Sequence, residues 1–152
     1  MRAGLTVLDI LEDEGLFERS RTLGERLREG VRALAGRYEM LGEVRGLGLM
    51  NGIEFRAPES RRLRILHGGF SKLHPGLFGQ MVVRSLFKDE GILTQMCGND
   101  YRVVKASPPL TATEEEIERF LAGFERMLER VHSGLGFWTQ GLVIAGKALK
   151  AS

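Results

Sequence analysis

The sequence predicts an α/β fold, a two-layer sandwich in which a short, mainly antiparallel sheet is covered by helices. Two observations carry this. Stretches with apolar residues at helical spacing alternate along the chain with short runs rich in Val and Ile. Those runs come in close pairs broken by glycine-containing turns, as hairpin strands do.

Leu5 to Glu14 reads as a helix, with Leu5, Leu8 and Leu11, and Val7 beside them, on one side. Leu16 to Tyr38 is a second, longer helix whose apolar stripe is Leu23, Leu27, Val31 and Leu34. Arg19, Arg21, Arg26, Arg28 and Arg32 share its other faces with Glu18, Glu25 and Glu29. That mixture reads as a solvated surface laced with helical ion pairs, not as a nucleic-acid footprint. Leu41 to Phe55 reads as two strands meeting at Gly46. Gly46, Gly48 and Gly52 miss the spacing of a dinucleotide loop, and no helix opens after them, so a turn or bulge is expected. Glu54, between Ile53 and Phe55, should face away from the core.

Arg56 to Pro75 reads as an irregular basic excursion that could touch a partner subunit. Gly76 to Glu90 is a helix with Phe78, Met81, Val82, Ser85 and Leu86 on its buried stripe, ended by Gly91. Ile92 to Gln95 and Tyr101 to Ala106 read as strands around a turn at Met96 to Asp100. Pro108 and Pro109 then make a rigid corner. Thr113 to Val131 is a helix: Thr113 and Glu116 stand at capping-box positions, and Glu114, Glu115 and Glu116 complement the helix dipole. After it the character changes. Phe137, Trp138, Leu142, Val143, Ile144 and Leu149 are apolar, Lys147 and Lys150 are basic, and Gly141 and Gly146 each weaken a helix by about 1 kcal/mol. This tail reads as a docked or frayed terminal helix, with a helix on a partner or an interfacial membrane element as alternatives. The chain thus divides into a domain over 1–131 and a tail over 132–152.

Composition narrows the function classes. With 152 residues the length suits one domain. Lys and Arg number 22 against 20 Asp and Glu, a net charge of +2, too balanced to argue for nucleic acid or an anionic membrane. A lone cysteine, Cys97, precludes an internal disulfide and suits a reducing compartment, so a cytoplasmic location is expected. No apolar run approaches the roughly 20 residues of a membrane span. His67 and His74 have no Cys or carboxylate at ligand spacing, and His132 stands alone, so no metal site is expected. No neighbouring His or Lys activates Cys97. Capping accounts for Glu114 to Glu116 without a catalytic role.

Two ordered segments carry a resemblance. The first is Val44-Arg45-Gly46-Leu47-Gly48-Leu49-Met50-Asn51-Gly52-Ile53-Glu54. The second is Lys105-Ala106-Ser107-Pro108-Pro109-Leu110. Together, with helices between them, they resemble the C-terminal part of the class-III aminotransferases, over about Leu5 to Val131. The resemblance implies the small domain of a fold-type-I pyridoxal-phosphate enzyme, acting as a homodimer. Its activity would be transfer of an amino group from a small-molecule amine to a keto or aldehyde acceptor. It also implies that the lysine, aspartate and phosphate ligands of pyridoxal phosphate precede Met1, so that this chain is a fragment. Within it no catalytic or cofactor-binding residue is expected.

One site residue does fall here. In many members of the family the arginine of R-x-x-P-P-L pairs with the substrate carboxylate. Here that position holds Lys105, not Arg102. A lysine attracts a carboxylate as a point charge but offers no planar fork, so the substrate class is left open. The alternative role for Lys105 is to reach the domain edge or pair with an acidic neighbour. The alternative function, from a different class, is a non-catalytic module that binds a partner chain through the exposed side of Leu5, Val7, Leu8 and Leu11.

Overall fold

The structure, a computed structural model, describes residues 2–150, with side chains described for residues 4–143. The expectations for Ile144, Lys147, Leu149 and Lys150 as side chains lie outside that range. The element order is α1 (Arg2–Asp13), α2 (Leu16–Ala35), β1 (Leu41–Leu47), β2 (Met50–Phe55), α3 (Arg61–Leu73) and α4 (Leu77–Glu90). β3 (Gln95–Met96), β4 (Val103–Ala106), α5 (Glu114–Ser133) and α6 (Gly136–Lys150) follow.

The strands form one sheet in the order β1-β2-β4-β3, with every neighbouring pair antiparallel. Register decides its two faces. Val44 pairs with Ile53, and Ile53 with Val104, so these three share the face that the helices cover. Arg45, Gly52 and Lys105 form the next row, and their side chains take the opposite face. The expected sandwich is therefore present, and Glu54 faces away from the core as its alternation requires.

The α2 stripe of Leu23, Leu27, Val31 and Leu34 is buried, as is most of the α5 face, with Ile117, Phe124, Met127 and Leu128 at 1% exposure or less. Gly15, with φ of +60°, breaks α1 from α2 in a conformation that favours glycine. The Thr113 capping box forms as expected: Thr113 Oγ1 accepts from the Glu116 amide at 3.2 Å, and Glu116 Oε2 accepts from the Thr113 amide at 2.9 Å.

Four expectations need correcting. The Arg56 to Pro75 stretch is not irregular, because residues 61–73 form α3. Leu63 and Phe70, seven apart, bury one side of it, while Glu39 Oε2 accepts from the Glu59 and Ser60 amides at its start. The hairpin turns at Gly48-Leu49 and not at Gly46, because Gly48 takes the positive φ of +53° that the turn needs. Only Gln95 and Met96 join the ladder as β3. Ile92 is drawn away by a hydrogen bond from its amide to Leu86 O that closes the end of α4. Finally, the arginines of α2 are not all a solvated face. Arg28 is buried, and Arg26 bridges Glu114 and Glu118 at 2.6 and 2.7 Å, tying α2 to α5.

The tail from 132 contributes to the core. Phe137 and Trp138 are buried against Phe78, with ring centroids at 6.1 and 5.9 Å, and Trp138 Nε1 donates to Val131 O at 3.1 Å. Among the described residues no helix is long and apolar enough to cross a membrane.

Candidate functional site

Lys105 sits near the end of β4, one step before the strand runs into Ser107 and the Pro108-Pro109 corner. Three local features hold it there. β4 is an inner strand, so Lys105 pairs with Gly52 on one side and Gln95 on the other. Thr94 Oγ1 donates to the Lys105 carbonyl. Beyond the corner, Arg19 of α2 donates through both Nε and Nη2 to the carbonyl of Ala112, at 3.0 and 2.8 Å. The backbone path from Lys105 to α5 is therefore tied to the sheet at one end and to α2 at the other.

Lys105 borders a groove of about 280 Å³ between the end of the sheet and the first turns of α5. Leu27, Ile92, Pro109, Ile117 and Phe120 supply much of its apolar wall, and Thr94, Ser107 and Glu116 its polar groups. The groove thus brings together the expected site residue, the proline corner and the capping glutamate. Glu116 already accepts the Thr113 amide, so its carboxylate is partly committed to the helix.

The lysine is half-buried and forms no ion pair among the described residues. The nearby Arg102 is different. Its Nε and Nη2 grip Asp100 at 3.1 and 2.8 Å, and its amide donates to the same carboxylate at 2.9 Å. These bonds hold the Asp100 carboxyl at a pKa of about 2. Of the two cations that flank the strand, Arg102 is satisfied within the domain and Lys105 is left available. Gly52, opposite Lys105, adds no side chain to that face; a Cβ there would approach Val103 Cγ1 to 3.1 Å.

The resemblance to the class-III pattern marks Lys105, four residues before Pro109. It does not reach Thr94, Gly52 or Arg19, whose contacts with this strand and corner join residues distant in sequence. The first glycine-rich motif proves to be architectural. Arg28 Nη1 donates to Gly48 O at 3.0 Å and Asn51 Oδ1 at 2.8 Å, while the Leu49 amide donates to Ser20 Oγ at 3.1 Å. These bonds clamp the hairpin tip onto α2. A Cβ at Gly24 would lie 1.9 Å from Gly48 O, so helix and turn meet backbone to backbone.

Pyridoxal phosphate needs a lysine to carry it, a carboxylate for its ring nitrogen and donors for its phosphate. Lys72 and Lys88 are exposed on helices, and the Lys105 groove is largely apolar with one partly committed carboxylate. The described residues do not fit that cofactor. Among them no group of His, Cys, Asp or Glu is arranged to hold a metal ion.

A family model for class-III aminotransferases matches residues 1–128. The 5-aminovalerate aminotransferase of Pseudomonas aeruginosa is 35% identical over 121 residues, which is 79% of this chain and 26% of that protein. The 4-aminobutyrate aminotransferase of Escherichia coli is 32% identical over 119 residues, 78% of this chain and 25% of its own length. Among solved structures, a phospholyase from Arthrobacter in complex with phosphoethanolamine aligns with a TM-score of 0.68 at 27% identity. That alignment covers 83% of this chain and 27% of the phospholyase. An amine transaminase from an uncultivated Pseudomonas species aligns with a TM-score of 0.65 at 28% identity, over 85% of this chain and 27% of its own. The chain spans about a quarter of the length of the relatives it matches. With the family match running from α1 into α5, the chain belongs to the class-III aminotransferases.

Proposed function

We propose that this chain supplies the small domain of a pyridoxal-phosphate-dependent aminotransferase, and that Lys105 receives the anionic end of the substrate. The observation that carries the reading is the free cation at the proline corner. Lys105 occupies the motif position, borders an apolar groove and has no internal counter-ion among the described residues, whereas Arg102 beside it is bound to Asp100.

The relatives support a substrate class. 5-Aminovalerate and 4-aminobutyrate, named in two of them, each carry a carboxylate several carbons from the amine. A cation some way from the reacting amine suits such molecules: it fixes the far end and so orients the near one. Lysine does this as a point charge, with less demand on geometry than an arginine fork. The apolar wall of the groove would cover the methylene chain between the two ends.

The cofactor of the working enzyme, in this reading, is held by residues outside the described ones, and it supplies the electron sink for amino transfer. What this chain adds is orientation of the substrate and exclusion of water. Residues 1–131 form the aminotransferase-type domain, and 132–152 an appended segment. The working enzyme is a homodimer in the cytoplasm, a reading that rests on the family resemblance and on the single cysteine.

A non-catalytic binding role is the second reading, favoured by one observation: Leu5, Val7 and Leu8 of α1 are each more than half exposed. Complementation separates the two. The chain is produced together with the remaining part of a relative, such as the Escherichia coli 4-aminobutyrate enzyme, and assayed for transfer from ω-amino acids to a keto acid. The enzymatic reading predicts restored turnover. A stable complex with no turnover on any amine would favour the binding role.

A further inference from the structure

At Lys105 the inner strand β4 has two unlike neighbours. Pairing with β3 sets Gln95 opposite the lysine on one side, and pairing with β2 sets Gly52 on the other. Directly opposed residues of an antiparallel pair send their side chains to the same face, with Cβ atoms about 4.5–5.5 Å apart. Gln95 is exposed while the next residue, Met96, packs against the core. Gln95 therefore takes the open face of the sheet, beside Lys105. Over Gly52 no side chain stands, and the row continues to Arg45 on β1. Neighbouring strands lie about 4.8 Å apart, so a gap one strand wide opens next to the lysine.

The polar groups around this gap are unequally committed. Glu54, two residues along β2 from Gly52, accepts from Arg45 at 2.8 Å and stands 3.6 Å from Arg102. The Lys105 ammonium and the Gln95 carboxamide form no hydrogen bond or ion pair with any described residue. A cation and a neutral donor thus stand side by side, both without partners, where the sheet has space.

We propose that Gln95 is a second substrate-binding residue: its carboxamide Nε2 donates to one oxygen of the substrate carboxylate while the Lys105 ammonium meets the other. The inference rests on the reading of Lys105 as receptor for the anionic end. An arginine at that position would offer both oxygens a donor from one planar fork, whereas a lysine brings the charge at a single point. Gln95 supplies the missing N–H from the adjacent strand. The gap over Gly52 leaves the pair open to approach from the β2 side. Two donors held on neighbouring strands suit a planar carboxylate and offer nothing to an alkyl end, so the pair selects amines that end in a carboxylate.

The test is steady-state kinetics on the enzyme reconstituted from this chain and the remaining part of a relative, with 5-aminovalerate and pentylamine as the charged and neutral probes. Gln95→Leu keeps the bulk of the side chain and removes its donor. It should lower kcat/KM for 5-aminovalerate about tenfold, mainly through KM, and change pentylamine by less than about twofold. Gln95→Glu should lower 5-aminovalerate use further, about a hundredfold, because its carboxylate repels that of the substrate and competes for Lys105. Both donors act on one carboxylate, so Gln95→Leu should cost less in a Lys105→Ala background than in the parent. Equal losses for the two amines would overturn the proposal and make Gln95 a structural part of the edge strand. Additive losses with Lys105→Ala would overturn the shared contact. Unchanged kinetics in Gln95→Leu, with Lys105→Ala still selective against 5-aminovalerate, would overturn the role of Gln95 and leave that of Lys105 standing. Absence of turnover in the reconstituted parent would overturn both.

Discussion

Arg28 donates a 2.8 Å hydrogen bond to Asn51 Oδ1, and both residues are buried. The same Nη1 reaches Gly48 O at 3.0 Å, and Asn51 Nδ2 donates to that carbonyl at 3.1 Å. A buried triangle thus fixes the hairpin tip to α2. Glu25 completes it by accepting from Arg28 at 2.7 Å. Arg28→Ala should leave Asn51 and the Gly48 carbonyl short of a donor and destabilise the chain by about 2–3 kcal/mol. Arg28→Lys should recover only part of this, because an ammonium cannot reproduce the fork that also meets Glu25. Urea-unfolding midpoints check both variants.

Gly24 faces the Gly48 carbonyl so closely that an added Cβ would stand 1.9 Å from the oxygen. Neither partner is a flexible side-chain end, so the helix and the turn would have to separate. Gly24→Ala should cost about 3 kcal/mol despite the better helix propensity of alanine. Equal or higher stability in thermal unfolding would show that α2 and the hairpin tip are further apart than described.

Much of this was legible in the sequence, and the limits have physical causes. The α2 and α5 stripes were legible because 3.6-residue periodicity is a local signal, and the Thr113–Glu116 box because capping is local too. α3 was obscured by its arginines and by Gly68-Gly69, even though Leu63, Leu66 and Phe70 keep helical spacing and Leu63 and Phe70 are buried. Arg28 looked like its neighbours on α2; only the tertiary approach of Gly48 and Asn51 makes it a core residue. The site was half legible in the same way. The family pattern points to Lys105, but the groove beside it depends on Thr94, Glu116 and Phe120, which meet only in the folded chain.

Acid should loosen the turn between β3 and β4 that carries Asp100. Arg102 beside it lowers the Asp100 pKa from 3.8 to about 2. A carboxylate whose pKa is lower in the folded state stabilises that state above its unfolded pKa and loses the contribution as pH falls through the folded value. The contribution is therefore complete above about pH 4 and disappears between there and about pH 2. Asp100→Asn should remove that part of the acid dependence. Urea midpoints measured across this range, with and without the substitution, check it; parallel curves for the two proteins would contradict it.

The chain by itself should bind no pyridoxal phosphate. Lys72 and Lys88 are exposed, and the Lys105 groove lacks the donor set the cofactor needs. Mixing chain and cofactor should give the absorbance of free cofactor plus chain. Borohydride reduction followed by peptide mapping should find no single modified lysine. A stoichiometric adduct at one position would contradict the proposal that this chain orients the substrate and holds none of the cofactor.

The role of Lys105 is tested most directly by substrate selectivity in the complemented enzyme. Lys105→Ala removes a charge-assisted contact worth about 1.5–3 kcal/mol, so kcat/KM for carboxylate-bearing amines should fall by roughly tenfold to a hundredfold. Neutral amines of similar length should change little, and Lys105→Arg should keep or improve use of ω-amino acids. Equal losses for charged and neutral amines would contradict substrate recognition through Lys105 and leave it a structural part of the strand end.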